Sequence, residues 1–327
     1  MLRALLFPGV YIQNRFVFAV EAADKQIYWT SSRTPNMNEG TGAEQMPATA
    51  LQRVSSVLDA DAQSAVTLDG GEVGSVYCVS FRDHPDVAVK VDDSPLGIEA
   101  AMLQYLDRDT PLPVPDVLHI EPELLVLSFI RGDGRFDERA ERNLARHVAA
   151  LHDISADAFG FPFDTLSGPF SQSNPWTESW IDFFRERRLL PFATAARNDG
   201  TLPATEFDRV QRLAETLDTR LVEPTTPSLL HGDIHPGNAV VADGTVRAVL
   251  DPAIYFGHAE VDLAYADRLD SIGDAFFDEY RRHRDIPEGY FGERRDVYVA
   301  FHALENVRFF GEDGLPRLDS ALDRLGV

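Results

Sequence analysis

The sequence predicts an α+β protein: a small antiparallel sheet followed by a mostly helical region. Three observations predict it. Short runs with strand character, "DVAVKV" and "ELLVLSFI", cluster before residue 132, as half-buried and buried strands do. After residue 132 the apolar spacing becomes helical, beginning with "DERAERNLARHVAALHDI". Between two of the later helical stretches, "NAVVADGTVRAVLDPA" places an Asp-Gly pair between two apolar runs, the turn chemistry of a β-hairpin.

Taken in order, residues 48–58 have helical spacing, and "AVTLDGGEVGSVYCVSF" reads as strand, Gly-rich turn, strand. "DVAVKV" is the next strand, and "GIEAAMLQYLDRD" an amphipathic helix. "PLPVPDVL" is a Pro-rich connector leading into a strand; "ELLVLSFI" is a buried strand and "RGDGR" a turn. "FGFPFDTLSGPFSQSNPW" is expected to be a long irregular loop, with "TESWIDFFRERRLL" and "TEFDRVQRLAETLDTRL" as helices after it. Residues 1–45 lack this periodicity. "TSSRTPNMNEGTGAEQ" is polar and rich in turn formers, a linker or disordered stretch. Either Met46 is the true start or the preceding segment is a small appendage. The expected organisation is an extension over 1–45, an N-lobe over 46–131 and a C-lobe over 132–327.

The 327 residues are ample for a buried core. A net charge of −23 repels nucleic acid and anionic lipid, so neither is an expected partner. Lys25 and Lys90 are the only lysines. High Asp and Glu with almost no Lys suits a halophile-like cytoplasm in which salt screens self-repulsion. Cys78 is the single cysteine, which rules out an intramolecular disulfide and fits a reducing, cytoplasmic setting. No run has the apolar length of a membrane span, and "MLRALLFPGVYIQNRF" has no clean cleavage site.

"LLHGDIHPGN", residues 229–238, concentrates two His, an Asp and an Asn. A metal-dependent phosphatase and a phosphoryl-transfer loop both use such clusters. A two-metal phosphatase needs further ligand clusters in order, and they are missing. Phosphoryl transfer needs a carboxylate near the acceptor hydroxyl, Mg²⁺ ligands, a cation on the phosphates and a loop of N–H groups above them. The sequence offers these parts in kinase order. They are "GGEVGSVY" with Gly71 and Gly74, Lys90 on the next strand, Glu99 opening the following helix, Asp233 with Asn238, and then Asp251. The hairpin is expected to return Asp251 beside Asn238. A Lys kept in a buried strand of a chain nearly devoid of Lys needs a partner. Each piece alone also has a plain structural reading: a hairpin turn for the glycines, a solvated helix residue for Glu99.

Other residues carry structural expectations. His231 is expected to hydrogen-bond the loop backbone, and Asp262 to cap a helix or hold the catalytic-loop backbone. Trp176 and Trp180 are expected on one helical face in the core, with one of them lining the acceptor cleft as the alternative. His302 and Asn306 are expected as a satisfied buried pair, and "RERR" as a solvated face.

"LLHGDIHPGN" with "LDPAIYFGHAEVDLAYA", "GPFSQSNPWTESWIDFFRERRLLPFA" and "RRDVYVAFHALENVRFFG" resembles the fructosamine (ketosamine) kinase family, within the aminoglycoside-phosphotransferase-like kinases. The resemblance runs from about residue 48 to the end. It implies a two-lobed protein-kinase-like fold, ATP and Mg²⁺. Asp233 would be the catalytic base, Asn238 and Asp251 the metal ligands, and Lys90 the phosphate contact paired with Glu99. Adenine would hang on backbone near Ser128, Phe129 and Ile130. The implied reaction is an ATP-dependent 3-kinase acting on a ketosamine, fructosamine or ribulosamine, carried by a glycated lysine, which leads to deglycation. A related phosphotransferase for a free sugar or aminoglycoside is the second reading and a non-catalytic pseudokinase the third. One departure stands out: the family loop usually reads His-Gly-Asp-Leu-Trp, and His235 stands where the Trp would be. The glycine loop also lacks the Cys of many relatives, and the Lys90-to-Glu99 connection is short.

Overall fold

The computed structural model describes residues 45–68, 75–267 and 272–327. The glycine loop with Gly71 and Gly74, and residues 1–44 of the extension, lie outside the described residues.

The first half is a five-stranded antiparallel sheet flanked by two helices. α1 (Ala48–Leu58) precedes β1 (Ala62–Thr67), β2 (Ser75–Phe81) and β3 (Val87–Val91). α2 (Leu96–Asp109), β4 (Val117–Glu121) and β5 (Leu124–Ser128) follow, and the spatial order is β1-β2-β3-β5-β4. The two-residue period of a strand assigns its faces. Val87 and Val89 pack with Met46, Ala50 and Val54 on the α1 side. Ala88 packs with Leu96, Ala100 and Leu103 of α2. Lys90 shares the face of Ala88 and is directed at α2.

The rest is mainly helical around one large core. It runs through α3 (Glu138–His152), the short strands β6 (Thr165–Ser167) and β7 (Phe170–Gln172), α4 (Trp180–Phe183), α5 (Leu190–Asp199), α6 (Ala204–Glu215) and α7 (Leu217–Arg220). Then come β8 (Ser228–Leu230), β9 (Ala239–Ala242), β10 (Thr245–Val249) and β11 (Tyr255–Gly257). α8 (Glu260–Asp267), α9 (Asp274–His283), α10 (Arg295–Phe310) and α11 (Leu315–Arg324) complete it. Met102 and Leu106 of α2 join this core, tying the sheet to the helices. Asp137 caps α3, its Oδ1 accepting from the N–H groups of Arg139 and Ala140 at 3.1 and 3.2 Å. No helix among the described residues is long and apolar enough to cross a membrane.

Four expectations need correction. The segment expected as a long irregular loop contains the β6–β7 hairpin, whose three-residue strands are too short to display a period. The helix expected from Thr177 starts at Trp180, where the Glu223 carboxylate accepts from the Trp180 and Ile181 N–H groups at 2.7 and 3.1 Å. Trp176 therefore lies outside the helix and is 51% exposed, whereas Trp180 is fully buried and donates to the Tyr298 hydroxyl at 3.0 Å. The helix then passes through a π turn over Phe184–Leu189. Its wider winding changes which side chains face inward, and "RERR" is not a uniformly solvated face. Arg188 is fully buried over the Tyr255 ring, 3.9 Å from its centroid, and donates to the Ser173 carbonyl and the Asn174 side chain.

Candidate active site

Lys90 is the hinge between the two halves. Its Nζ lies 2.5 Å from Glu99 Oε1 and 2.5 Å from Asp251 Oδ1. Burial works against its charge, but Asp251 and Glu99 outweigh it, and the ammonium is held above its ordinary pKa. Burial raises the pKa of Glu99, against the pull of Lys90. Glu99 sits in the first turn of α2, on the side that meets Lys90 of β3. Asp251 follows β10 with φ +52°, in the left-handed region that Asp and Asn tolerate better than most residues. That turn swings its carboxylate out of the strand direction and toward Lys90.

The loop after β8 supplies the second group. Asn238 Nδ2 donates to Asp233 Oδ2 at 2.7 Å and to the Asp233 carbonyl at 3.0 Å. This leaves the amide Oδ1 as the atom with which Asn238 can meet a cation. The Leu250 N–H donates to the Asn238 carbonyl at 2.8 Å, so the hairpin does return beside the loop, as the spacing predicts. In detail the side chains pair otherwise: Asn238 leans on Asp233, and Asp251 on Lys90. Gly232 has φ +83°, and a Cβ there would meet the Ala253 carbonyl at 2.4 Å. Only glycine lets the loop lie against the Ala253 backbone, whose N–H donates to the His231 carbonyl at 2.7 Å.

Asp262 fixes that backbone from below. Its two oxygens accept from the N–H groups of His231 and Gly232, each at 2.8 Å, and Oδ2 also meets His152 Nε2 at 3.1 Å. His152 in turn reaches the Tyr280 hydroxyl at 2.8 Å. Burial acts to raise the pKa of Asp262, but His152 and the backbone donors prevail and hold it low. His231 Nδ1 accepts from the Asp233 N–H at 3.3 Å, and burial keeps its ring neutral. Both residues hold the loop, as expected from sequence.

His235 Nδ1 accepts from the Gly237 N–H at 3.1 Å. In the neutral ring that assigns the proton to Nε2, which lies 3.6 Å from Asp233 Oδ2. His235 therefore stands beside the carboxylate at the centre of the site, with 22% of its side chain exposed.

A cleft opens from Lys90, Glu99 and Asp251 between the sheet and the β9–β10 hairpin. Its apolar walls are Ala88 and Leu127 on one side and Val240 and Leu250 on the other, and Ser128 and Ile130 also line it. Phe129 is not part of the lining; its ring lies under the Arg131 guanidinium. No group of three or more His, Cys, Asp or Glu among the described residues could cage a metal.

The fructosamine kinase family profile matches residues 46–326. The chain belongs to the fructosamine kinase family. A Synechocystis protein assigned as a ketoamine kinase is 34% identical over 218 residues, 66% of this chain and 72% of that one. A chloroplastic protein-ribulosamine 3-kinase from Arabidopsis thaliana is 31% identical, covering 66% of each chain. A solved structure from Thermobifida fusca assigned to the fructosamine-3-kinases superposes with a TM-score of 0.73 at 28% identity, over 85% of this chain and 98% of that one. A thermostable mutant of the aminoglycoside phosphotransferase APH(4)-Ia shares the fold at a TM-score of 0.62 and 16% identity, over 84% of this chain and 97% of that one. The two-lobed, protein-kinase-like α+β fold expected from sequence is therefore the fold of this family member.

The structure thus brings Lys90, Glu99 and Asp251 together in one cleft that Ser128 and Ile130 also line, and pairs Asp233 with Asn238 on the adjoining loop. Sequence reading missed Glu305, a buried carboxylate on α10. It accepts from the Ser167 and Tyr265 hydroxyls at 2.8 and 2.9 Å and meets His302 Nδ1 at 3.0 Å. The period of α10 places His302 and Glu305 on one face, a spacing that sequence reading had applied only to His302 and Asn306. His302 is satisfied in the core, as expected, and Glu305 and the Val261 carbonyl are among its partners.

His258, just past β11 and buried, predicts a pH-dependent stability. Burial, reinforced by Arg294, Arg284 and His152, lowers its pKa from 6.5 to about 3. Between those values the unfolded chain binds a proton that the folded chain refuses. Its contribution to stability is therefore complete above about pH 6.5 and is lost as pH falls toward 3. His258→Asn keeps an acceptor for the Glu260 N–H and removes the titration. Urea unfolding between pH 7.5 and pH 5 is expected to show a shallower loss of stability in the variant than in the parent; parallel curves would contradict this assignment.

Proposed function

We propose that this fructosamine kinase family member transfers the γ-phosphoryl group of ATP to the O3 hydroxyl of a ketosamine carried on a lysine. The phosphorylated adduct is unstable, so the outcome is deglycation of the lysine. The observation that carries this reading is that Lys90, Glu99 and Asp251 line one cleft with apolar walls, while the paired Asp233 and Asn238 sit on the loop that the Leu250 N–H ties to its edge.

Each residue has a role that its surroundings support. Asp233 orients the acceptor and takes its O3 proton as O3 attacks the γ-phosphorus and the bond to ADP breaks. Asn238 Nδ2 fixes the rotamer of that carboxylate. Lys90, held charged by Asp251 and Glu99, contacts the nucleotide phosphates. Adenine lies between the apolar walls against the backbone of Ser128, Phe129 and Ile130. The donor set also fits Mg²⁺. Asp251 keeps a second, solvent-facing oxygen and Asn238 offers Oδ1, and this ion uses one or two protein oxygens plus substrate phosphates instead of an all-protein cage. Bound there, Mg²⁺ would neutralise charge on the phosphates. A cytoplasmic setting and a salt-adapted surface complete the proposal.

His235 sets the acceptor preference. A Trp beside Asp233 would give the sugar a flat apolar wall, a contact worth on the order of 1 kcal/mol. His235 gives a smaller, polar wall. Ribulosamine and erythrulosamine adducts are therefore expected to be used at least as well as fructosamines, and His235→Trp to move the preference toward the longer sugar by roughly five- to tenfold. The measurement is kcat/KM for a matched series of lysine adducts with both forms. Phosphorylation of free sugars or aminoglycosides but of no ketosamine would overturn the acceptor class.

A further inference from the structure

A second cavity, of about 340 Å³, shares no lining residue with the nucleotide cleft. Ser171 and Ser173 form one wall, Glu186 and Arg187 of the π turn another, and Phe192 and Arg308 the third. The strand period explains the first wall. Gln172 is buried and donates to the Ala253 carbonyl at 3.3 Å, so its neighbours Ser171 and Ser173 turn outward, where both are exposed. We propose that this cavity is a binding site for a phosphorylated sugar.

The charges point to an anion. In a chain of net charge −23, two arginines line one cavity. The Arg187 side chain is half-buried and makes no hydrogen bond or ion pair among the described residues. Arg308 is held by stacking, its guanidinium carbon 3.6 Å from the Phe170 ring centroid and 5.3 Å from that of Phe192. Its nearest carboxylate among the described residues, Asp199, is 3.8 Å away, and its buried Nε has no hydrogen-bond partner there. Two guanidinium groups and two hydroxyls are a donor set for a phosphomonoester. Glu186 would repel bare phosphate but accepts hydrogen bonds from a polyol. Phe192 offers an apolar face, and the volume is in the range of small-molecule sites. Phosphate and sugar together satisfy the whole lining.

The test is calorimetry and thermal unfolding of the full chain at constant ionic strength, with the nucleotide cleft filled by Mg²⁺ and a non-hydrolysable ATP analogue. The probes are ribose 5-phosphate, inorganic phosphate and ribose. Ribose 5-phosphate is expected to bind saturably and raise Tm, inorganic phosphate to bind more weakly, and ribose not to bind. Arg187→Gln, which keeps the aliphatic stem, is expected to weaken ribose 5-phosphate about tenfold or more; Ser171→Ala weakens it by less. Neither variant changes ATP-analogue affinity, so failure here leaves the kinase reading standing. Absence of saturable binding to the parent, or parent-like affinity in Arg187→Gln, would overturn the site. Equal affinity for inorganic phosphate and ribose 5-phosphate would overturn the sugar assignment.

Discussion

Asp233→Asn is expected to lower kcat on a ketosamine by about 10²- to 10⁴-fold, the usual contribution of a positioned general base, while ATP affinity stays nearly unchanged. The substitution is a clean one here. An Asn oxygen can still accept from Asn238 Nδ2, as Asp233 Oδ2 does at 2.7 Å, so the loop keeps its shape. What is lost is the proton acceptor. Lys90 keeps its pairs with Glu99 and Asp251 in this variant, so nucleotide binding is not expected to change. Steady-state kinetics with calorimetry of the ATP analogue checks both halves. Near-normal turnover would remove Asp233 from its role as base.

Asp251→Ala is expected to weaken Mg²⁺-dependent nucleotide binding by roughly a hundredfold or more, because in the proposed site Asp251 would hold the ion that neutralises the phosphates, and this acidic chain has little other positive charge to offer. Two other effects accompany the substitution. Lys90 loses one of its two carboxylate partners and keeps Glu99. Ala must also adopt the φ of +52°, at a cost of roughly 1–2 kcal/mol. Asp251→Asn separates these effects, since Asn tolerates that conformation and lacks only the charge. Calorimetry with and without Mg²⁺ is expected to show both variants losing the difference that Mg²⁺ makes in the parent. Parent-like Mg²⁺ dependence in Asp251→Asn would take Asp251 out of the metal site.

The parts of this site that were legible in the sequence are those carried by local chemistry. Lys90 stood out because a chain with two lysines placed one in a strand. Asp233, Asn238 and Asp251 were legible from their spacing and from the Asp243-Gly244 turn, both of whose residues have positive φ. The backbone role of Asp262 followed from its place at the start of a helix. What sequence did not reveal is mostly long-range or too short to show a period. The contact of Lys90 with Asp251 joins residues far apart in the chain. The β8–β11 pair that clamps the two ends of the catalytic segment is three residues long on each side. The burial of Arg188 depends on a π turn that shifts the helical phase, and the start of α4 depends on Glu223, which lies beyond α7.

The central claim is that this cleft phosphorylates a ketosamine at O3. The most direct measurement is to incubate the full chain with Mg²⁺, ATP and a ribulosyl-lysine peptide, and to follow the products by phosphorus NMR and mass spectrometry. The account predicts a new phosphomonoester coupled to the proton on C3, its decay with release of the unmodified lysine peptide, and no such signal with Asp233→Asn. ADP formation with no phosphorylated ketosamine, or a phosphate on another hydroxyl, would contradict it.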